Sequence, residues 1–321
     1  MAYLTSLSPL HSISPPLAVM YAGLIAFFAT GISTLVLLAI WRPNPFRRVL
    51  IRGLSWGPVY VFFMGGILLG KEAMTAGCLL LSLRALYELL SLERDQPPRA
   101  PVVAVAVACV FAHYASMSLW SWRLAPLVAP ALCVTLLPLT IFLQARTGWR
   151  RRYRSMLTAL TLSTLCLGCL PMICWLPWGE TTASPRWSDA LFLAVVVPQM
   201  SDCLQYLAGK WRGKHAMWPT LSPSKTWEGA IGGCLVTLLC TIPFTLAITS
   251  LSILEATLLN LALCVLGILG DLLLSRVKRH ANVKDFPLLL PEFGGALDRV
   301  DSLVLCAPFF LLFAKIVLVN P

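Results

Sequence analysis

Windows of about 20 predominantly apolar residues recur along the whole chain, each long enough to cross a hydrocarbon layer roughly 30 Å thick as a helix. They centre on residues 17–40, 53–70, 73–91, 101–119, 124–143, 156–175, 190–208, 230–253, 256–274 and 303–319. The third carries Arg84 with Glu88, the seventh Asp202 and the ninth Asp271. With 58% hydrophobic against 12% charged residues, the chain lies far from the mixture of a soluble domain. It reads as an all-α polytopic integral membrane protein with about ten transmembrane helices. Residues 1–189 form a set of N-terminal helices, and residues 190–321 carry nearly all the polar chemistry.

The first window follows a short polar start, without a basic stretch or a small-residue cleavage site. It is too long for a signal-peptide core and is expected to stay in the mature protein. The eleven cysteines fall largely inside apolar windows and show no CxxC or Cys/His metal spacing, so they read as small packing residues.

Lysine and arginine are distributed unevenly, which sets an orientation, because membrane-proximal loops keep their excess of these residues on the cytoplasmic side. Alternate loops hold twenty of the 25, among them Arg150, Arg151, Arg152 and Arg154, while the intervening loops hold only Lys71, Arg123 and Arg186. Two polar segments, 201–228 and 275–302, therefore face the cytoplasm together, where nucleotides are available, and both termini lie outside it. The net charge of +11 follows from topology and from attraction to anionic headgroups. No nucleic-acid-binding fold signature accompanies it, so nucleic acid is not an expected partner.

In the second of these segments charges crowd together: Asp271, Lys278, Arg279, Lys284, Asp285, Glu292, Asp298, Arg299 and Asp301. If the ninth helix continues, Asp271, Ser275, Lys278 and Arg279 stack on one face. Asp298 and Asp301 are three apart, a spacing at which two acids can share a divalent cation. Mg²⁺ favours carboxylates combined with substrate phosphates. Gly294 and Gly295 either bring backbone N–H groups to a phosphate or make a turn.

In the first segment, Asp202, Tyr206 and Gly209 share a helix face. Asp202 is costly so near the hydrocarbon and calls for a partner or a water-filled cavity. Ser222, Pro223, Ser224, Lys225 and Thr226 form a hydroxyl-rich loop just ahead of a helix beginning near Trp227. Such a loop suits a phosphate or supplies an ordinary N-cap. Trp211, Trp218 and Arg212 read as interfacial anchors. Gly229 and Gly233 make a small-xxx-small pair suited to packing helices within the chain or between two copies of a homodimer. Arg84 and Glu88, four apart, read as an ion pair inside the bundle.

These residues carry a resemblance. Ser275-x-x-Lys278-Arg279-x4-Lys284-Asp285, followed by Gly294-Gly295-x-x-Asp298-Arg299-x-Asp301-Ser302, resembles the C-terminal signature of the phosphatidate cytidylyltransferases, or CDP-diacylglycerol synthases. The stretch Asp202 to Gly209 and the run Ser222 to Gly229 resemble two further blocks of that family, in the same order, so that the likeness covers about residues 195 to 305.

The resemblance implies CTP and phosphatidic acid as substrates, CDP-diacylglycerol and pyrophosphate as products, a divalent metal, and a site on the cytoplasmic side of the inner membrane. It implies Asp271, Asp298 and Asp301 as metal ligands and Asp202 as a further acid. Lys225, Lys278, Arg279 and Lys284 then hold phosphates, with Ser222, Thr226, Gly294 and Gly295 in support.

Phe293 stands where the family usually has histidine, Pro287 replaces a small residue and Ser224 a lysine. Phe293 can neither donate a hydrogen bond nor carry a proton, while His280 is nearby in sequence. The alternatives are a CTP-dependent kinase acting on a lipid alcohol and a divergent non-catalytic or transport relative. No clear internal repeat of the kind found in transporters is present.

Overall fold

The structure, a computed structural model, describes residues 57–93, 98–119, 149–178, 186–287 and 294–319. Helix dominates it, as it must where no water is available to the backbone and every N–H and C=O has to bond within its own segment. Helices α1 (Gly57–Leu69), α2 (Lys71–Leu90), α3 (Ala100–Leu119) and α4 (Trp149–Leu160) come first. A π-helical stretch, Thr161–Cys166, runs from α4 into α5 (Leu167–Cys174). Then follow α6 (Trp187–Arg212), strands β1 (Ala216–Trp218) and β2 (Ser222–Thr226), α7 (Trp227–Ile248) and α8 (Ile253–His280). The short α9 (Leu297–Val300) and α10 (Leu303–Phe313), prolonged by a π-helical stretch at Ala314–Leu318, end the described chain.

Six helices among the described residues are long and apolar enough to span a membrane: Lys71–Leu90, Ala100–Met117, Tyr153–Cys174, Trp187–Arg212, Trp227–Ile248 and Ile253–His280. They correspond to the third, fourth, sixth, seventh, eighth and ninth expected windows. The second and tenth appear as the shorter α1 and Leu303–Leu318, and the first and fifth lie outside the described residues. The ninth helix continues past the expected end to His280, with Lys278, Arg279 and His280 in its last turn, where positive charge complements the helix dipole. At its other end Ser252 and Glu255 form a capping box.

One buried apolar cluster extends from Val59 to Leu318. Helix α6 lies in its midst, with Ser188 to Gln199 almost wholly buried against α5, α7, α8 and α10. The outer faces of α7 and α8 expose Ile231, Leu235, Leu239, Leu254, Leu258 and Val265, an apolar surface suited to lipid. Between these two helices runs a buried polar seam. Thr237, Thr241, Thr245 and Thr249 each bond the carbonyl four residues back, and Asn260 Nδ2 donates to Thr245 Oγ1 at 3.0 Å.

Helices α6 and α7 pack backbone to backbone at Gly229 and Gly233. A Cβ on Gly229 would meet the Gln205 carbonyl at 2.8 Å and Gly209 Cα at 2.9 Å, and one on Gly233 would collide with the Gln205 backbone. The small-residue pair is therefore used within the chain. Gly233→Ala is expected to destabilise the detergent-solubilised protein by about 1–3 kcal/mol, the usual cost of overpacking. Gly232→Ala, whose Cβ would meet only Ala208 Cβ at 3.4 Å, should be neutral or stabilising. Equal thermal midpoints for the two variants would contradict this packing.

Candidate active site

The segment that carries Lys225 is fastened at both ends. Strand β2 pairs antiparallel with β1, Ala216 opposite Thr226 and Trp218 opposite Ser222, so the expected hydroxyl-rich loop is half of a small hairpin. Thr226 caps α7 by accepting the Gly229 N–H at 3.1 Å. Glu228, in the first turn of α7, accepts the N–H groups of Lys214 and His215 at 3.1 and 3.2 Å and pairs with the His215 ring. These contacts hold the hairpin against the start of α7. Lys225 Nζ then lies 2.5 Å from Asp271 Oδ2 on α8 and 3.8 Å from Asp202 Oδ1 on α6.

Asp301 closes the group from a fourth element. It is buried, its Oδ1 accepts the Ser302 N–H at 2.8 Å, and it is near enough to Asp271 to feel that carboxylate's charge. Gly270 makes the approach possible, since a Cβ there would stand 2.6 Å from the Asp301 carbonyl. Gln199, fully buried on α6, ties the same turn down by donating to the Arg299 carbonyl at 3.1 Å and to Ser302 Oγ at 3.4 Å.

The electrostatics follow from this crowding. Burial works against the charge of Lys225, but Asp202, Asp271 and Asp301 outweigh it and hold its ammonium above the ordinary lysine value. Burial, and then the charges of Asp271 and Asp202, push the Asp301 carboxyl well above the usual carboxylate range.

Asp298 faces elsewhere. Its Oδ1 accepts from Lys278 Nζ at 2.7 Å, and its Oδ2 accepts the Phe286 and Gly295 N–H groups, both at 3.1 Å. The two acids expected to share a cation thus have different partners, although they lie three residues apart. Asp298 is drawn to Lys278 and the backbone N–H groups of Phe286 and Gly295, whereas Asp301 is pressed against α8 at Gly270. The Gly295 N–H is engaged by Asp298, so in this structure Gly294 and Gly295 make the turn, with Gly294 at φ +76°.

Ser275 lies one turn from Asp271 on α8, as expected, with Oγ 3.4 Å from Asp271 Oδ1. Arg279 and Lys284 are exposed at and beyond the end of α8, and Arg279 donates to the Val283 carbonyl at 3.3 Å. Ser222 sits at the far end of β2 from Lys225. Glu292 and Phe293 lie outside the described residues.

Asp202, Asp271 and Asp301 are spread around Lys225 rather than gathered on a point, and among the described residues no three His, Cys, Asp or Glu side chains form a ready metal group. The donor chemistry nonetheless suits a hard divalent cation. All the donors are carboxylate oxygens, and the Asp271–Asp301 pair is held together against its own repulsion.

Sequence reasoning passed over Glu228, Gln199 and the reach of Glu88, which contacts the 295–297 backbone. Gln199 carried a usable signal, a polar side chain in the apolar run Val195 to Met200. Glu228 and Glu88 act on backbone far from their own positions, which spacing does not reveal.

Residues 50–317 match the pattern of the cytidylyltransferase family, and the chain belongs to that family. It is 30% identical over 252 residues to the phosphatidate cytidylyltransferase of Staphylococcus haemolyticus, covering 77% of this chain and 92% of that one. It is 43% identical over 120 residues to the phosphatidate cytidylyltransferase of Bacillus subtilis (37% and 45% of the two chains). To the uncharacterized protein YnbB of Escherichia coli K12 it is 36% identical over 141 residues (44% and 47%). The chain thus spans somewhat under half the length of the latter two relatives.

The state of Asp301 sets a pH dependence. Its carboxyl keeps a proton to higher pH in the folded chain than in the unfolded one, so stability falls as pH rises from the ordinary carboxylate value through the raised one. Asp301→Asn, which keeps an acceptor for the Ser302 N–H, should therefore raise the thermal midpoint near pH 7 in EDTA. That gain should shrink as pH falls toward about 4. A gain that does not depend on pH would contradict a proton held on Asp301.

Proposed function

We propose that the chain transfers CMP from CTP to phosphatidic acid, or a closely related phospholipid, giving CDP-diacylglycerol and pyrophosphate. The observation that carries this reading is the meeting of three separate polar blocks of sequence, through Asp202, Lys225 and Asp271 with Asp301, at one end of an apolar helix bundle. A nucleotide and a bilayer lipid can both reach such a place. Relatives named phosphatidate cytidylyltransferase support the choice of substrates.

A phosphatidate oxygen attacks the α-phosphorus of CTP in line. The new O–P bond forms as the bond from the α-phosphorus to the bridging oxygen breaks, and pyrophosphate leaves with that electron pair. Catalysis of this kind rests on positioning and on neutralising charge at the transferring group. Lys225, kept charged by its three acids, lies where it can turn from carboxylate to phosphate oxygen. Lys278, steadied by Asp298, is the second phosphate-binding ammonium. Arg279 and Lys284, exposed beyond it, draw in the triphosphate, and Ser222 and Thr226 support the Lys225 segment.

A divalent cation, Mg²⁺ in this proposal, would be held by Asp271 and Asp301 with Asp202 beside them, and it supplies neutralisation of phosphate charge. Asp298, with both oxygens engaged, is assigned to holding Lys278. The same reading places about ten spans in the inner membrane and the site on its cytoplasmic side. Residues 190–321 form the catalytic region and residues 1–189 the helices that support it.

The test uses the full chain in mixed micelles with Mg²⁺, phosphatidic acid, and CTP labelled separately at the α- and γ-phosphates. Transfer of α-label to lipid with release of pyrophosphate is expected, and Asp271→Asn or Asp301→Asn should abolish it while the protein stays folded. Transfer of γ-label to an added lipid alcohol would make the protein a kinase instead. Absence of both labels from lipid would sink the enzymatic reading.

A further inference from the structure

Glu88 lies on α2, in the half of the chain that holds none of the three polar blocks, yet its side chain ends in the turn that bears Asp298. It is fully buried. Its Oε1 accepts the Ala296 N–H at 2.7 Å and its Oε2 the Leu297 N–H at 2.9 Å, across 208 and 209 residues of sequence. Arg84, one turn earlier on α2, donates from Nε to Glu88 Oε1 at 2.8 Å and from Nη2 to the Pro287 carbonyl at 3.2 Å. The pair therefore holds the backbone at two places, at Pro287 and at Ala296–Leu297.

A carboxylate without water is tolerated only when its oxygens are bonded, and here both are. The turn is also shaped to receive it. A Cβ on Gly295 would lie 2.5 Å from Phe286 Cβ and 2.6 Å from Glu88 Oε2, so a larger residue would push the turn off α2. From the turn the chain of contacts continues to Asp298, which accepts the Gly295 and Phe286 N–H groups and holds Lys278 Nζ at 2.7 Å.

We propose that Glu88, oriented by Arg84, is a positioning residue of the active site: it fixes the Gly295–Asp298 turn on α2 and through it sets where Lys278 presents its ammonium. The proposal rests on the reading of Lys278 as a phosphate-binding group. It places a determinant of the chemistry in the N-terminal helices, acting through backbone rather than by touching substrate.

The decisive variant is Glu88→Gln, which keeps the shape but offers one acceptor oxygen for two converging N–H donors and has no charge for Arg84. Two measurements are made on the full chain in mixed micelles. Without nucleotide, hydrogen exchange at Ala296 and Leu297 should accelerate at least about tenfold while α7 and α8 keep their protection, the signature of local opening. With substrates, kcat for CMP transfer should fall at least about tenfold while KM for CTP changes less than about threefold, since Lys278 would be misplaced at the transition state.

Gly295→Ala, which leaves Glu88 and Arg84 in place, should reproduce both effects. The double variant should lose little more than the worse single one, because both substitutions open the same contact. Should Glu88→Gln fail to fold, Gly295→Ala and its exchange pattern decide the matter. Unchanged exchange at Ala296 and Leu297, or full kcat with faster exchange, would overturn the proposal. If the wild-type chain transfers no CMP, the cytidylyltransferase reading fails, and the exchange measurement still decides whether Glu88 fixes the turn.

Discussion

A largely buried ammonium is stable only among opposite charges, and Lys225 is supplied with them by α6, α8 and the turn after α9. That requirement adds a polar tie to elements that already share the apolar cluster. The hairpin must deliver Lys225, which demands the Thr226 cap and the Glu228 contacts to residues 214 and 215. Helix α8 must stay helical far enough to present Asp271, and glycine must stand at 270 so that Asp301 can approach. The glycines at 209, 229 and 233 let α6 and α7 close on one another beneath the group.

The same arrangement separates what folds the protein from what acts. The apolar cluster, the threonine seam of α7 with Asn260, and the lipid-facing surfaces of α7 and α8 would serve any helical membrane protein. Set against them are carboxyl groups that gain nothing from being close. Asp301 is held beside Asp271 and Asp202 although burial and repulsion both oppose its charge. Strain of this kind is kept where a ligand relieves it, and a cation with a triphosphate has the charge to do so.

Much of the helical framework was legible in the sequence because hydrocarbon imposes a length and a composition that nothing else in the chain imitates. The stacking of Asp271 and Ser275 on one helix and the Arg84–Glu88 pair follow from spacing, and the start of α7 near Trp227 follows from the capping run before it. Spacing is silent where partners are distant. The three-residue spacing of Asp298 and Asp301 suggested one shared ligand, whereas the Phe286 backbone and Lys278 engage the first and α8 packs on the second. The Ser222–Thr226 run read as a loop because Pro and Ser argue against a strand, and a two-stranded pairing with Ala216–Trp218 is fixed by contacts outside the run. That Glu88 reaches the backbone at 296 and 297 could not be read from α2, since an ion pair four residues apart already explains an intramembrane acid.

In the proposed division of labour among the acids, Asp271 and Asp301 hold the cation and Asp298 holds Lys278. Titration of the metal-free chain with Mn²⁺, followed by electron paramagnetic resonance, tests it without any turnover. Wild-type protein and Asp298→Asn should bind Mn²⁺ with similar affinity and release it to excess Mg²⁺, whereas Asp301→Asn and Asp271→Asn should lose the bound signal. Binding that survives in Asp301→Asn and disappears in Asp298→Asn would contradict the assignment and move the cation to the Lys278 end of the site.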